Sequence, residues 1–178
     1  PIKGLESNSP LGLINLFEDP RGDLWLFSAY YGLLNFNRHT GQYRVIQLNC
    51  FRMAPGEILW IFYVFFDKEE NIWIGTSNRG LFLYNARTKS CEHFNLDPKK
   101  PVDWNERTFN TVFTLMQDTE YENTLWLATY NGIYRIDKKL KQMIRKFISA
   151  NNNDSTFSDH WLGSMDQFND TTIWFGTY

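Results

Sequence analysis

Four aspartates precede four tryptophans in this sequence: Asp19 and Trp25, Asp67 and Trp73, Asp118 and Trp126, Asp166 and Trp174. The separation is six residues in the first two pairs and eight in the last two. A repeated carboxylate of this kind has the chemistry of a metal ligand or a general acid. Its surroundings favour a different task. Asp19-Pro-Arg-Gly-Asp23 and Asp67-Lys-Glu-Glu-Asn71 have the composition of hairpin turns, in which a carboxylate accepts backbone N–H groups. The aspartates are therefore read as turn structure. Cys50 and Cys91 lie far apart, with no Cys-x-x-Cys and no histidine at metal-ligand spacing, and both are expected to be unpaired. No Gly-x-Ser-x-Gly, phosphate-binding loop or His-Glu-x-x-His occurs, so the residues call for no catalytic set, metal or cofactor. The remaining candidates are aromatic and hydrogen-bonding groups in two of the three long linkers, Trp104, Arg107, His160 and Trp161.

The elements that position these groups follow from a repeat. The four tryptophans recur about every 50 residues, a period that belongs to arrays of small structural units. Three copies continue into Gly32-Leu-Leu-Asn-Phe-Asn37, Gly80-Leu-Phe-Leu-Tyr-Asn85 and Gly132-Ile-Tyr-Arg-Ile-Asp137, where the glycine opens a strand at positive φ or close backbone approach. Each unit reads as short strands rich in Leu, Ile, Val, Phe and Trp, separated by Asp, Asn, Gly and Thr turns. In the second unit they span about 59–66, 71–76, 81–85 and 91–95. The strand holding the tryptophan is apolar at successive positions, so both its faces must be covered. Four-stranded antiparallel sheets stacked face to face meet that need, and the fold expected is an all-β propeller.

The blades are placed at 12–48, 58–95 and 111–148, with a lead-in over 1–11 and the first half of a fourth blade at 162–178. Closed propellers need at least about four blades, so about three and a half make a partial propeller. The chain is expected to be a piece of a larger ring; self-assembly of a partial ring is the alternative. Small residues two positions after the tryptophan, Gly75, Ala128 and Gly176, are expected to leave room between blades, and Phe27 departs from that pattern.

Composition narrows the class. Eighteen Lys+Arg against twenty Asp+Glu leave a net charge of −2, which provides no general field for nucleic acid or an anionic membrane. The longest uncharged apolar run, Ile58 to Phe66, is far shorter than the roughly 20 residues of a spanning helix. The chain begins at Pro1 with no basic-then-apolar leader, so any targeting signal is expected to have been removed or to lie outside the segment. Arg135, Lys138, Lys139, Lys141, Arg145 and Lys146 form a basic patch on the third blade, read as a solvated outer edge that resists strand pairing. The sequons at Asn153 and Asn169 are given no weight.

The run Phe66-Asp-Lys-Glu-Glu-Asn-Ile-Trp-Ile-Gly-Thr-Ser-Asn-Arg-Gly-Leu-Phe-Leu-Tyr-Asn85, with its three registered relatives between Leu13 and Tyr178, resembles the two-component regulator propeller repeat. Phe27-Ser28 in place of Gly-Thr, and the longer turns of the third and fourth copies, are its departures. The resemblance implies the periplasmic sensor half of a hybrid histidine kinase of the Bacteroides type. It further implies a homodimer in the parent protein, a membrane reached only through flanking segments, and a glycan fragment or other small polar ligand. It transfers no functional residue, because the repeat carries no fixed binding motif.

Antiparallel pairing locates a ligand face. The turn between second and third strands and the link from each outer strand to the next inner strand emerge at one end. That end gathers Tyr30, Tyr31, Asn78, Arg79, Tyr130 and Asn131 with the linker residues Trp104, Arg107, His160 and Trp161. Aromatic planes and donors on loops suit a polar ligand. The rival readings are a propeller glycosidase or lyase, which needs converging carboxylates or a metal, and a protein-interaction propeller, although no Trp-Asp dipeptide occurs.

Overall fold

The computed structural model describes residues 12–28, 31–50, 59–94, 96, 111–130, 132–147, 162–169 and 172–177. These residues form fourteen strands in four sheets, and none of them is helical. The first blade holds β1 (Leu13–Glu18), β2 (Leu24–Ser28), β3 (Gly32–Phe36) and β4 (Tyr43–Ile46). The second holds β5 (Ile61–Phe66), β6 (Asn71–Thr76), β7 (Leu81–Asn85) and β8 (Cys91–Phe94). The third holds β9 (Val112–Gln117), β10 (Thr124–Thr129), β11 (Gly132–Asp137) and β12 (Gln142–Phe147). A two-stranded fourth sheet pairs β13 (Leu162–Asn169) with β14 (Thr172–Thr177). Every sheet is antiparallel with its strands in sequence order, and the inner strands β1, β5, β9 and β13 adjoin one another successively. The molecule is a partial β-propeller.

The apolar runs that demanded two covered faces are covered by neighbouring blades. Trp25, Phe27 and Leu33 of the first blade pack on Ile61, Ile72 and Phe82 of the second. Trp73 and Leu83 of the second pack on Val112, Leu125 and Tyr134 of the third. A third cluster joins Ala128 and Ile133 to Leu162 of the fourth sheet, with Trp126 and Phe175 against it. Each of these three tryptophans thus faces the next blade, and removing the fully buried ring of Trp25 or Trp73 costs about 3–5 kcal/mol.

Close blade approach depends on missing side chains. A Cβ on Gly75 would sit 2.9 Å from Val112 Cγ1 and 3.0 Å from the Val112 carbonyl, so a bare backbone is what lets β6 meet β9. Gly32, Gly80 and Gly132 take positive φ of 73°, 74° and 108°, as the strand-opening glycines should. Ala128 lies in the third interface. Gly176 differs from expectation, since a Cβ there would collide with Ser164 Oγ of its own hairpin rather than with another blade.

Two expectations at the cysteines and the basic patch are corrected. Cys50 and Cys91 are bonded, their Cα atoms 5.1 Å apart, and no described cysteine is free. The segment after β4 lies against the first interblade cluster and so reaches the start of the second blade's outer strand, a proximity that sequence separation hides. Arg135 is no solvated edge residue. Its guanidinium carbon lies 4.8 Å from the Tyr121 ring centroid and 5.4 Å from that of Trp126, with Asp118 Oδ2 3.5 Å from Nη2. Cross-strand pairing places Arg135 directly opposite Trp126, and stacking plus ion pairing hold it there.

Candidate functional site

The propeller has two ends with different chemistry. At one end the aspartate turns repeat a single construction. Asp19 accepts N–H bonds from Arg21 at 2.9 Å and Asp23 at 3.0 Å on Oδ1, and the Trp25 indole N–H at 3.0 Å on Oδ2. Asp67 does the same for Glu69 and Asn71, both at 2.9 Å, and for Trp73 at 2.9 Å. Asp118 accepts from Glu120 at 3.0 Å, Tyr121 at 3.1 Å and the Trp126 indole at 2.8 Å. All three carboxylates are buried. Their acceptor sites are occupied by turn and indole donors, so they act as struts rather than as acids or ligands.

The fourth copy is built otherwise. Asp166 is exposed and sits opposite Trp174 within the β13–β14 ladder, while in the third blade the residue opposite Trp126 is Met116. The same eight-residue spacing is taken up by longer strands instead of a longer turn, so Asp166 caps nothing. Phe168 follows Gln167 in the chain as Asp118 follows Gln117 but is skipped by the ladder between Gln167 and Asn169, and Phe168 and Trp174 are 71% and 62% exposed.

Charged pairs lace this end from blade to blade. Arg21 meets Glu70 at 3.8 Å, Lys68 meets Glu122 at 2.6 Å, and the Thr119 N–H donates to Gln167 Oε1 at 3.0 Å. The hydrogen bond and charge of Lys68 hold the Glu122 carboxyl below its ordinary value. That contribution is complete above the ordinary carboxylate pKa and is lost as the pH falls through the lowered one; full exposure leaves it open to salt screening. Lys141 pairs with Glu92 beside a groove of about 300 Å³ between the second and third blades, which Asp67, Asn71, Lys138 and Lys139 also line. Lys138 donates to Gln117 Oε1 at 2.7 Å. Arg135, Lys138 and Lys141 of the basic patch are thus paired within the fold.

The opposite end holds the expected ligand residues that are described, Tyr31, Asn78, Arg79 and Tyr130. Tyr30, Trp104, Arg107, Asn131, His160 and Trp161 lie outside the described residues. Tyr31 N–H donates to Ser28 Oγ at 3.1 Å, which fixes the β2–β3 turn. The Asn78 N–H donates to Thr111 Oγ1 at 3.2 Å, and that hydroxyl returns a bond to Asn78 Oδ1 at 3.0 Å. Thr111 also accepts the Tyr130 N–H on its carbonyl at 3.2 Å. One residue therefore ties the second blade's turn to the third blade's, and Asn78 serves as a clamp between them. The Arg79 carbonyl accepts from His93 Nε2 at 2.5 Å, and the His93 ring stacks on Phe82 at 4.6 Å. Burial pushes Arg79 below its ordinary value, yet a guanidinium remains charged at neutral pH.

Thr111 was not among the candidates, nor were Trp60, Phe62 and Phe113 at the same end. Trp60 is 45% exposed and its carbonyl receives the Ser77 N–H at 2.8 Å. Phe62 and Phe113 stack across two blades with centroids 5.5 Å apart. Their sequence signal is a break in strand alternation, visible only once the partner strand is known. Among the described residues no group of three or more His, Cys, Asp or Glu is arranged to hold a metal, and no helix is long and apolar enough to cross a membrane.

No protein-family model and no curated protein matches the chain. Solved structures do. The extracellular domain of the putative hybrid two component system BT3049 from B. thetaiotaomicron is similar with a TM-score of 0.70 at 20% identity, covering 95% of this chain and 22% of that one. That of BT4673 from the same organism gives 0.69 at 18%, covering 93% and 20%. PorZ of Porphyromonas gingivalis, a surface component of the type-IX secretion system, gives 0.62 at 21%, covering 93% and 24%. The chain thus spans between a fifth and a quarter of the length of these structures. At such identities the likeness establishes the fold, which serves unlike duties in the two-component systems and in PorZ. The first two are the kind of protein that the sequence repeat resembles.

Proposed function

We propose that this chain is a non-enzymatic segment of an extracytoplasmic sensor propeller in a two-component signalling protein, and that it contributes to binding a small polar ligand, glycan-derived by preference. The observation that carries the reading is the structural likeness to extracellular domains of hybrid two-component systems over nearly the whole chain. The Cys50–Cys91 disulfide supports an oxidising compartment such as the periplasm, since cytosolic thiols are kept reduced. The three buried aspartates support a non-enzymatic role, because their oxygens are committed to turns and indoles.

In this reading the ligand sits at the Thr111 end, where blade-to-blade clamps converge and where the linkers emerge. Signalling requires that the ligand favour one arrangement of paired sensors over another; equal affinity for both shifts nothing. The kinase modules that would receive the change lie outside this chain. Thermal melting of the full parent ectodomain against a broad oligosaccharide panel tests the proposal. A rise in midpoint with one member, scaling with its concentration, is expected. A midpoint unmoved by every member removes the glycan reading, and stoichiometric capture of a protein partner in its place favours an interaction propeller.

A further inference from the structure

The inner strand of every blade carries a β-bulge at one and the same place. Ile61 pairs with Thr76 and Tyr63 with Gly75, which leaves Phe62 unpaired. In the third blade Val112 pairs with Thr129 and Thr114 with Ala128, leaving Phe113. The first and fourth sheets skip residues 14 and 163 in the same way, between Leu13 and Asn15 and between Leu162 and Ser164. In all four the bulge lies opposite the second and third residues after the repeated tryptophan. An extra residue on one strand shifts the phase of side-chain alternation. Ile61 and Val64 accordingly both face the first interblade cluster, while Tyr63 and Phe65 face the second.

The bulged residue thus belongs to neither core face. It sits on an inner strand whose only ladder partner is the second strand, so it projects from the free edge, toward the line about which the blades are arrayed. Phe62 and Phe113 use this position to stack on each other at 23° between planes, both half-buried and both absent from the core clusters. Asn15 Nδ2 holds the Phe62 carbonyl at 3.0 Å, which ties the first blade to the platform. The next position in the series is Gly163, which has no side chain to continue the stack. Thr111, the clamp between blades, lies two residues before Phe113, where its buried hydroxyl is committed to Asn78 and fixes the start of β9. The aspartate struts are at the other end of the propeller.

We propose that Phe62 and Phe113 are a stacking platform for the apolar face of a neutral saccharide ring, which takes the position next to Phe113 where Gly163 contributes no side chain. A pyranose offers an apolar C–H face and a polar rim, and an aromatic face beside the half-buried Asn15 amide suits both. This rests on the sensor reading and names its contact residues.

The test uses the full chain with para-fluorophenylalanine placed singly at Phe62, Phe113 or, as a control, Phe36, observed by fluorine NMR. The probes are neutral gluco-, xylo-, manno- and galacto-oligosaccharides. At least one should move the Phe62 and Phe113 signals saturably while leaving Phe36 in place. Phe113→Ala should then weaken that saccharide about tenfold or more. Gly163→Phe, which adds a ring without removing any core side chain, should abolish binding with the Phe36 signal unchanged. A saccharide that binds by calorimetry yet leaves both platform signals unmoved overturns this inference and spares the sensor reading. Failure of every probe to bind overturns this inference and the glycan reading together. If Phe113→Ala does not fold, the label shifts and the Gly163→Phe variant decide.

Discussion

At Asp67 one carboxylate accepts four hydrogen bonds, from the Glu69 and Asn71 N–H groups, the Asn71 amide and the Trp73 indole. Removing it strands a buried indole donor and two turn amides at once. Asp67→Ala should therefore lower stability by about 2–4 kcal/mol, since a charged buried acceptor contributes more than a neutral one. Asp166→Ala should change it by less than about 0.5 kcal/mol, because Asp166 is exposed and caps no turn. Urea denaturation of the two variants checks the pair, and equal losses would show that the aspartates act alike in spite of their different registers. The turn role of the first three aspartates was legible in the sequence because a turn is local, whereas their bonds to the indoles emerged only in the structure. Asp166 was not, because an eight-residue spacing fits either a long turn or a long ladder, and only pairing decides. Arg135 was missed for a related reason: its ring partners lie on the neighbouring strand and the preceding turn.

The disulfide joins two elements, the segment after β4 and the outer strand β8. Closing a loop with a separation of 41 residues restricts the unfolded chain, and the chain-entropy account gives about 4 kcal/mol. Reductant should lower the melting temperature of the wild-type chain, and a Cys50→Ser, Cys91→Ser variant should melt at that lower temperature with or without it. A wild-type midpoint indifferent to reductant would argue that the bond contributes nothing. The strands themselves were predictable, with β6 and β7 at their expected limits and β5 beginning two residues late. The bulges were not, since a skipped residue exists only relative to the partner strand. Gly75 lies between these cases, as its small size was noted but the Val112 contact that requires it belongs to the next blade.

Across the whole molecule, three of the repeated tryptophans pack toward the next blade, while the fourth, Trp174, is 62% exposed among the described residues. Trp174 and Phe168 make an edge-to-face pair at 6.3 Å on the open side of the last sheet. Exposed apolar surface beside a two-stranded sheet favours association. The chain of 178 residues on its own should therefore self-associate in a concentration-dependent way, and Phe168→Asp combined with Trp174→Asp should shift it toward monomer in sedimentation velocity. Association unchanged by the double variant would place the sticky surface elsewhere. The same substitution at Trp73 should instead unfold the second interface, since that ring is buried between blades.

By itself the sequence determined the repeat, the strand content, three aspartate turns and the propeller class, because each rests on local periodicity and turn chemistry that recur along the chain. Only the tertiary structure decided which cysteine meets which, that Asn78 and Thr111 clamp adjacent blades, where Asp166 and Arg135 lie, and that Phe62 and Phe113 stack at the inner edge. These depend on register and on stacking between blades, which set distances between residues whose separation in sequence carries no information about them.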